Sequence, residues 1–119
     1  MHHRSYIAIG DSFTEGLDDF TADGRPRGWA DRLAERLAQR HPGFEYANLA
    51  VRSKLLDEIV AEQVPVAEQV RPELITFCAG GNDIIGFSCD TDDLAARFDA
   101  ALARLVATGA DVLLSLIHI

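Results

Sequence analysis

Hydrophobic and polar positions alternate in blocks along this chain. Four short apolar runs, at 6–9, 44–49, 73–78 and 112–117, predict β-strands. Between them, apolar residues recur at helical spacing and predict helices over 28–40, 53–70 and 90–108. Pro65 lies inside the second of these segments, and because proline has no backbone N–H to donate, it predicts a kink or a break there.

This order of elements predicts an α/β fold. Strands that alternate with helices of this length form right-handed βαβ units, with helices on both faces of the sheet. We therefore predict a flavodoxin-like, three-layer α/β/α architecture with a mainly parallel sheet and strand order 2-1-3-4. Strands 1 and 3 are neighbours in that order, and their carboxyl ends open on the crevice where such sheets bind ligands. The loops that contain Ser12 and Asn82 should face each other across this crevice.

Composition narrows the class of partner. The 119 residues are 48% hydrophobic, which suits one domain or part of one. The net charge of −8 repels phosphate backbones and anionic lipids, so we expect no nucleic-acid partner. No apolar run is long enough for a signal peptide or a membrane span. We expect a cytoplasmic protein without stable membrane insertion.

The two cysteines, Cys78 and Cys89, have neither a CxxC spacing nor a matching histidine cluster. We therefore predict two reduced thiols rather than a disulfide or a metal site.

The stretch AIGDSFTEG, at 8–16, follows the first predicted strand. Gly, Asp and Ser are ordinary turn residues, and Ser12 alone is compatible with a turn, as Asn82 alone is with an Asx turn. A serine at the end of strand 1 could instead attack an ester. The Asn82 amide could then donate to the oxyanion, and a fixed donor of this kind is worth roughly 3 to 4 kcal/mol. The two residues across one crevice favour this chemistry over two independent turns.

Three short motifs resemble the GDSL or SGNH hydrolase family. GDSF at 10–13 is similar to its first block, NLAVRS at 48–53 to its second and GGND at 80–83 to its third. The resemblance implies an esterase or lipase with Ser12 as nucleophile. The oxyanion hole would comprise the Ser12 N–H, the Asn82 amide and the N–H of Ser53, which stands where the family has glycine. It also implies a small-molecule, lipid or sugar ester as substrate, and no metal or organic cofactor.

The family's catalytic base has no counterpart in the sequence. Family members carry an Asp-x-x-His block near the C-terminus, and no such spacing occurs in the 119 residues. His2 and His3 precede strand 1, His41 ends a helix, and His118 has Ser115 rather than aspartate three positions before it. Since losing such a partner costs about 10⁶ in kcat, we expect this chain to be close to inactive.

We accordingly expect a single SGNH hydrolase domain over 1–119 that is an N-terminal fragment, truncated after about strand 4. The residues at 114–119 resemble adaptor read-through, and we expect the native sequence to depart at about 114 or 115. Strand 4 would then be an uncovered apolar edge prone to aggregation.

The sequence is also compatible with two other functions. The first is a flavodoxin-like module in which Ser12, Thr14 and the N–H groups of 10–16 cradle phosphate or FMN. Asp11 and Glu15 disfavour it, because an anion repels carboxylates. The second is a non-catalytic domain on the same fold. The polar segment at 18–27 either lines a substrate entrance or is a solvated loop.

Overall fold

The structure is a computed structural model that describes residues 4–11, 14, 28–51, 55–79, 83 and 90–115. These residues form four strands and four helices in alternating order, apart from two consecutive helices between the second and third strands. The elements are β1 (Ser5–Gly10), α1 (Trp29–Arg40), β2 (Glu45–Asn48), α2 (Leu56–Glu62), α3 (Val64–Val70), β3 (Leu74–Cys78), α4 (Thr91–Val106) and β4 (Asp111–Ser115).

The four strands make one parallel sheet in the order β2-β1-β3-β4. Ile7, near the middle of β1, pairs with Ala47 of β2 on one side and with Ile75 of β3 on the other. At the end of β1, Gly10 pairs with Cys78, the last residue of β3. The predicted α/β class, parallel sheet and strand order are therefore confirmed.

Helices cover both faces of the sheet, because side chains alternate between faces along each strand. On one face, Ile7 and Ile9 pack with α2, α3 and α4, and the rings of Phe77 and Phe98 stack at 4.6 Å. On the other face, Tyr6 and Ala8 pack against α1. The predicted three-layer α/β/α architecture is confirmed.

The predicted helix over 53–70 is two helices that meet at Gln63, two residues before Pro65. The N–H of Gln63 still donates to the Ile59 carbonyl at 2.8 Å, so α2 closes normally before the proline interrupts the pattern. The side chain of Gln63 is buried, at 3% exposure. The break predicted from Pro65 is confirmed.

Local polar contacts set two of the helix starts. At α4, the Asp90 carboxylate accepts hydrogen bonds from the N–H groups of Asp92 and Asp93 and so caps the helix. At α2, the N–H of Leu55 donates to the Glu58 carboxylate at 3.0 Å. The helix is described from Leu56 rather than 53, and 52–54 lie outside the described residues.

Strand β4 is described from Asp111 to Ser115, one residue earlier at its start than predicted. Residues 116–119 lie outside the described part, so the expectations about 114–119 and about a truncated domain stay predictions. No helix in the described ranges is long and apolar enough to cross a membrane.

Candidate functional site

The carboxyl ends of β2, β1 and β3 lie side by side, as predicted for the crevice. Gly10 pairs with Cys78, and the chain beyond β2 continues along β1, with the Val51 N–H donating to the Gly10 carbonyl at 3.3 Å. Ser12 follows Gly10 by two positions, and Asn82 follows Cys78 by four. The sheet thus brings together the ends of the three strands that lead to the predicted site residues.

The predicted site residues themselves, Ser12, Ser53 and Asn82, lie outside the described residues, and their roles stay predictions. The same holds for His2, His3, His118, Cys89 and the segment at 18–27. His41 is described; it directly follows α1 and is half-buried.

The described residues on either side of Ser12 both turn inwards. The Thr14 N–H donates to the Asp11 carbonyl at 3.1 Å, which closes a tight turn, and both side chains are buried. The Thr14 side chain is completely buried, and its hydroxyl has no hydrogen-bond partner among the described residues. The contact of Thr14 with phosphate or FMN, expected in the alternative function, stays a prediction.

Gly10 lies where the backbone of β3 and the side chain of Thr14 come closest to β1. A Cβ atom at Gly10 would lie 2.6 Å from the Cys78 carbonyl oxygen, 2.6 Å from Thr14 Oγ1 and 2.9 Å from Thr14 Cβ. Carbon contacts normally begin near 3.5 Å, so no side chain fits here. The first motif therefore begins with glycine because its Cα is packed against two neighbours.

The backbone of Gly10 is also held by a side chain on the helical layer. The Gly10 N–H donates to Gln63 Oε1 at 3.0 Å, and Gln63 Nε2 donates to the Gly10 carbonyl at 3.0 Å. Both contacts are buried and join residues 53 positions apart. The Gln63 amide thus pairs with Gly10 as a neighbouring strand would.

Two further side chains tie the motifs to one another. Asn48 Nδ2 donates to the Thr14 carbonyl at 3.0 Å, while its Oδ1 accepts from the Ala50 N–H at 3.0 Å. Asp83 Oδ1 accepts from the Leu56 N–H at 2.9 Å, at the start of α2. The second motif is thus bonded to the loop of the first, and the third motif to the helix that follows the second.

The sequence reasoning assigned no role to Gln63, Asn48 or Asp83. Asn48 is part of the second motif and Asp83 is part of the third, and this position within a motif is the signal that could have identified them. Gln63 occupies a position of the buried stripe that also contains Ile59 and Ala67. A polar residue on an apolar stripe is the signal for a buried polar contact.

Perturbed tyrosines lie near the start of the strands rather than at the site. Burial raises the pKa of Tyr6 to about 12, and its hydroxyl shares a hydrogen bond with Thr76 Oγ1 at 2.6 Å. Tyr46 stacks on Tyr6 with ring centroids 5.2 Å apart. Its pKa is raised first by burial and then by Asp31, whose carboxylate accepts from the Tyr46 hydroxyl at 2.6 Å. These groups stabilise the packing of α1 on the sheet.

In the described ranges, His, Cys, Asp and Glu side chains form no group of three that could hold a metal ion. Cys78 is buried, and Cys89 lies outside the described residues, so the two reduced thiols stay a prediction.

Known structures share this fold. TesA is 25% identical, with a TM-score of 0.74, over 97% of this chain and 61% of that one. Two esterases are less similar in sequence and share only the fold. AlinE4, described as an SGNH-hydrolase family esterase, is 18% identical, with a TM-score of 0.73, over 96% of this chain and 59% of that one. The esterase EstA from Pseudoalteromonas sp. is 15% identical, with a TM-score of 0.71, over 96% of this chain and 61% of that one. The chain therefore spans about three fifths of the length of these proteins.

No curated protein sequence matches this chain. The model of the GDSL-like lipase/acylhydrolase family, in contrast, matches residues 8–118. That range contains all three motifs and the carboxyl ends of all four strands, and the beginning of β1 is the one part of a strand outside it among the described residues. The chain belongs to the GDSL-like lipase/acylhydrolase family.

Proposed function

We propose that the protein containing this chain hydrolyses carboxylic esters, with Ser12 as the nucleophile. The observation that carries the proposal is the pairing of Gly10 with Cys78. This pairing starts the GDSF and GGND loops at adjacent points on one edge of the sheet. Family membership and the esterase names of AlinE4 and EstA support ester chemistry at that edge.

In this proposal, Ser12 Oγ attacks the carbonyl carbon of the ester, and its proton passes to a general base. The negative charge that develops on the carbonyl oxygen is held by the N–H groups of Ser12 and Ser53 and by the Asn82 amide. The alcohol then leaves with the proton returned by the base. Water attacks the acyl-serine in the second half of the reaction and releases the acid.

The general base lies outside these 119 residues in this proposal, because they contain no Asp-x-x-His. A serine hydroxyl without a base is a poor nucleophile at neutral pH. We therefore expect the 119-residue chain alone to hydrolyse esters about 10⁶-fold more slowly than the full-length gene product.

We further propose that the substrate is a small molecule, a lipid or a sugar ester, and that the protein acts in the cytoplasm. The acidic net charge of −8 supports an uncharged ester over a polyanionic ligand such as nucleic acid. We propose no metal or organic cofactor, since serine acyl transfer needs only proton transfers and an oxyanion hole.

The test compares variants of the full-length gene product on a short-chain aryl ester. Ser12→Ala should abolish turnover, and Asn82→Ala should lower kcat by about 10²- to 10³-fold, the usual effect of removing one oxyanion donor. Ser5→Ala is the matched control: Ser5 is at the opposite end of β1, where its hydroxyl accepts from the Glu73 N–H, and its loss should leave kcat unchanged. Undiminished hydrolysis by Ser12→Ala would refute the proposal.

A further inference from the structure

Gln63 lies outside the three motifs, yet it contacts Gly10, the first residue of the GDSF motif. Its two hydrogen bonds, both 3.0 Å, use the donor and the acceptor of one buried amide on the N–H and the carbonyl of a single residue. Gly10 is the last residue of β1, and Ser12 follows it by two positions. A side chain from the helical layer therefore fixes the point from which the Ser12 loop leaves the sheet.

The opposite side of Gly10 leaves no room for adjustment. Its Cα packs against Thr14 and against the Cys78 carbonyl, as closely as the absence of a Cβ allows. Thr14 is itself completely buried. Gly10 is thus held by packing on one side and by the Gln63 amide on the other.

The break between α2 and α3 gives Gln63 its position. Gln63 is both the C-cap of α2 and the N-cap of α3. Pro65, in the first turn of α3, prevents the two helices from forming one continuous helix. Val64 and Ala67, beside it, are both fully buried in the core against the sheet. The amide reaches β1 from this layer, between apolar neighbours that shield its bonds from water.

We propose that Gln63 is a positioning residue for the nucleophile: its amide holds the end of β1 in the backbone conformation that directs Ser12 at the ester. The inference rests on the proposed function for its catalytic consequence, while the contact with Gly10 is independent of it. A misplacement of about 1 Å in a reacting group can cost about 10²-fold in rate. Substrate binding need not change, since the Gln63 side chain is buried.

The first experiment is kinetic and uses the full-length gene product. Gln63→Met keeps the length of the side chain and removes both hydrogen bonds. It should lower kcat by about 10- to 100-fold and leave KM within about twofold, because ground-state binding is intact. Gln69→Met is the matched control, since Gln69 is exposed on the same helical layer, and its kcat should not change.

A second variant separates positioning from packing. In Gln63→Glu, a protonated carboxyl offers the same donor and acceptor as the amide, whereas a carboxylate offers acceptors only. Burial favours the protonated form. We expect kcat of Gln63→Glu to approach the wild-type value at low pH and to fall below it as the glutamate ionises. A pH profile of Gln63→Glu that parallels the wild type at a kcat as low as that of Gln63→Met overturns the inference, and so does an unchanged kcat in Gln63→Met beside an inactive Ser12→Ala.

A third measurement does not depend on catalysis. The amide hydrogen of Gly10 should exchange with solvent about tenfold faster in Gln63→Met than in the wild type. This factor is what remains after division by the change in exchange rate at Ile9, in the same strand. If Ser12→Ala stays active, the proposed function fails, and this measurement still tests the contact. Equal changes at Gly10 and Ile9 would show that Gln63 only stabilises the fold and would overturn its positioning role.

Discussion

Replacing Gly10 with alanine should destabilise the fold although the added group is one methyl. Gly10 does not have a positive φ, so its backbone conformation suits any residue. The cost is steric: the new Cβ would lie 2.6 Å from the Cys78 carbonyl oxygen and 2.6 Å from Thr14 Oγ1. Each contact is closer than normal van der Waals separation by nearly 1 Å.

The structure sets the size of this penalty. The Cys78 carbonyl belongs to β3, which is paired with β1 on one side and β4 on the other, so it cannot shift without disturbing both ladders. Thr14 is completely buried, so a shift of its side chain would disturb the packing around it. Overpacking in a dense core costs about 1 to 3 kcal/mol, and the two collisions at Gly10 place it at the upper end of that range.

Urea denaturation of the full-length gene product measures the free energy of unfolding. Gly10→Ala should lower it by about 3 kcal/mol with an unchanged m-value. Gly43→Ala is the contrasting variant, because a Cβ there meets nothing within 4 Å but the residue has a φ of 82°. It should cost about 1 to 2 kcal/mol, through backbone strain alone.

The refuting result is a Gly10→Ala midpoint equal to that of the unmodified chain, which would mean that the end of β1 is not packed as described. A double-mutant cycle sharpens the test. Thr14→Ala removes the collision with Oγ1 and leaves only the contact with Cβ at 2.9 Å, so it should cost less in the Gly10→Ala background than in the unmodified chain.

Three other predictions concern stability and association. Tyr6→Phe should cost about 1 to 3 kcal/mol at neutral pH, because it leaves the buried Thr76 hydroxyl without its partner. Since the folded pKa of Tyr6, about 12, is above its unfolded value of 10.0, its stabilising effect is complete below pH 10 and is lost as the pH rises to about 12. Between pH 10 and about 12, the free energy of unfolding measured in urea should therefore fall less steeply with pH in Tyr6→Phe than in the unmodified protein. Equal slopes in the two proteins would contradict this prediction. Thr14→Val should be neutral or stabilising by up to about 1 kcal/mol in thermal melts, because the buried hydroxyl has no partner among the described residues; a loss above about 1 kcal/mol would show that it has one. The 119-residue chain should self-associate in sedimentation experiments through β4, one of the two edge strands of the described sheet, because Leu113 and Leu114 there are 48% and 46% exposed. Leu114→Lys should reduce the self-association, and an unmodified chain that is monomeric at every concentration would refute the prediction.

Periodicity was sufficient for the order of elements and for the sheet. The apolar runs that became β1 and β3 bury every side chain after Ser5, as expected for central strands of a parallel sheet. Once strands 1 and 3 are neighbours, the loops after them must begin at one edge. The common edge at which β1 and β3 end, just before the GDSF and GGND motifs continue, therefore followed from local patterns and one rule of topology.

The contacts that hold those loops were beyond local patterns. The Gln63 amide meets Gly10 across 53 positions, and Asp83 meets Leu56 across 27. A glutamine or an aspartate in a helical or loop segment is usually solvated, and only the tertiary arrangement shows which one is buried. The start of α2 illustrates this, because Glu58 and Asp83 accept the free N–H groups of its first residues.

These contacts share one physical role, which bears on how the site could be built. Loops of small and polar residues have little apolar surface, so packing alone fixes them weakly. Here Gln63 holds the beginning of the first loop, Asn48 holds the same loop at Thr14, and Asp83 joins the third loop to α2. Each bond connects a motif to a regular element or to another motif, so a displacement of one loop strains its neighbours. The relative placement of the proposed nucleophile and its oxyanion donors is therefore a property of this connected frame rather than of any one motif.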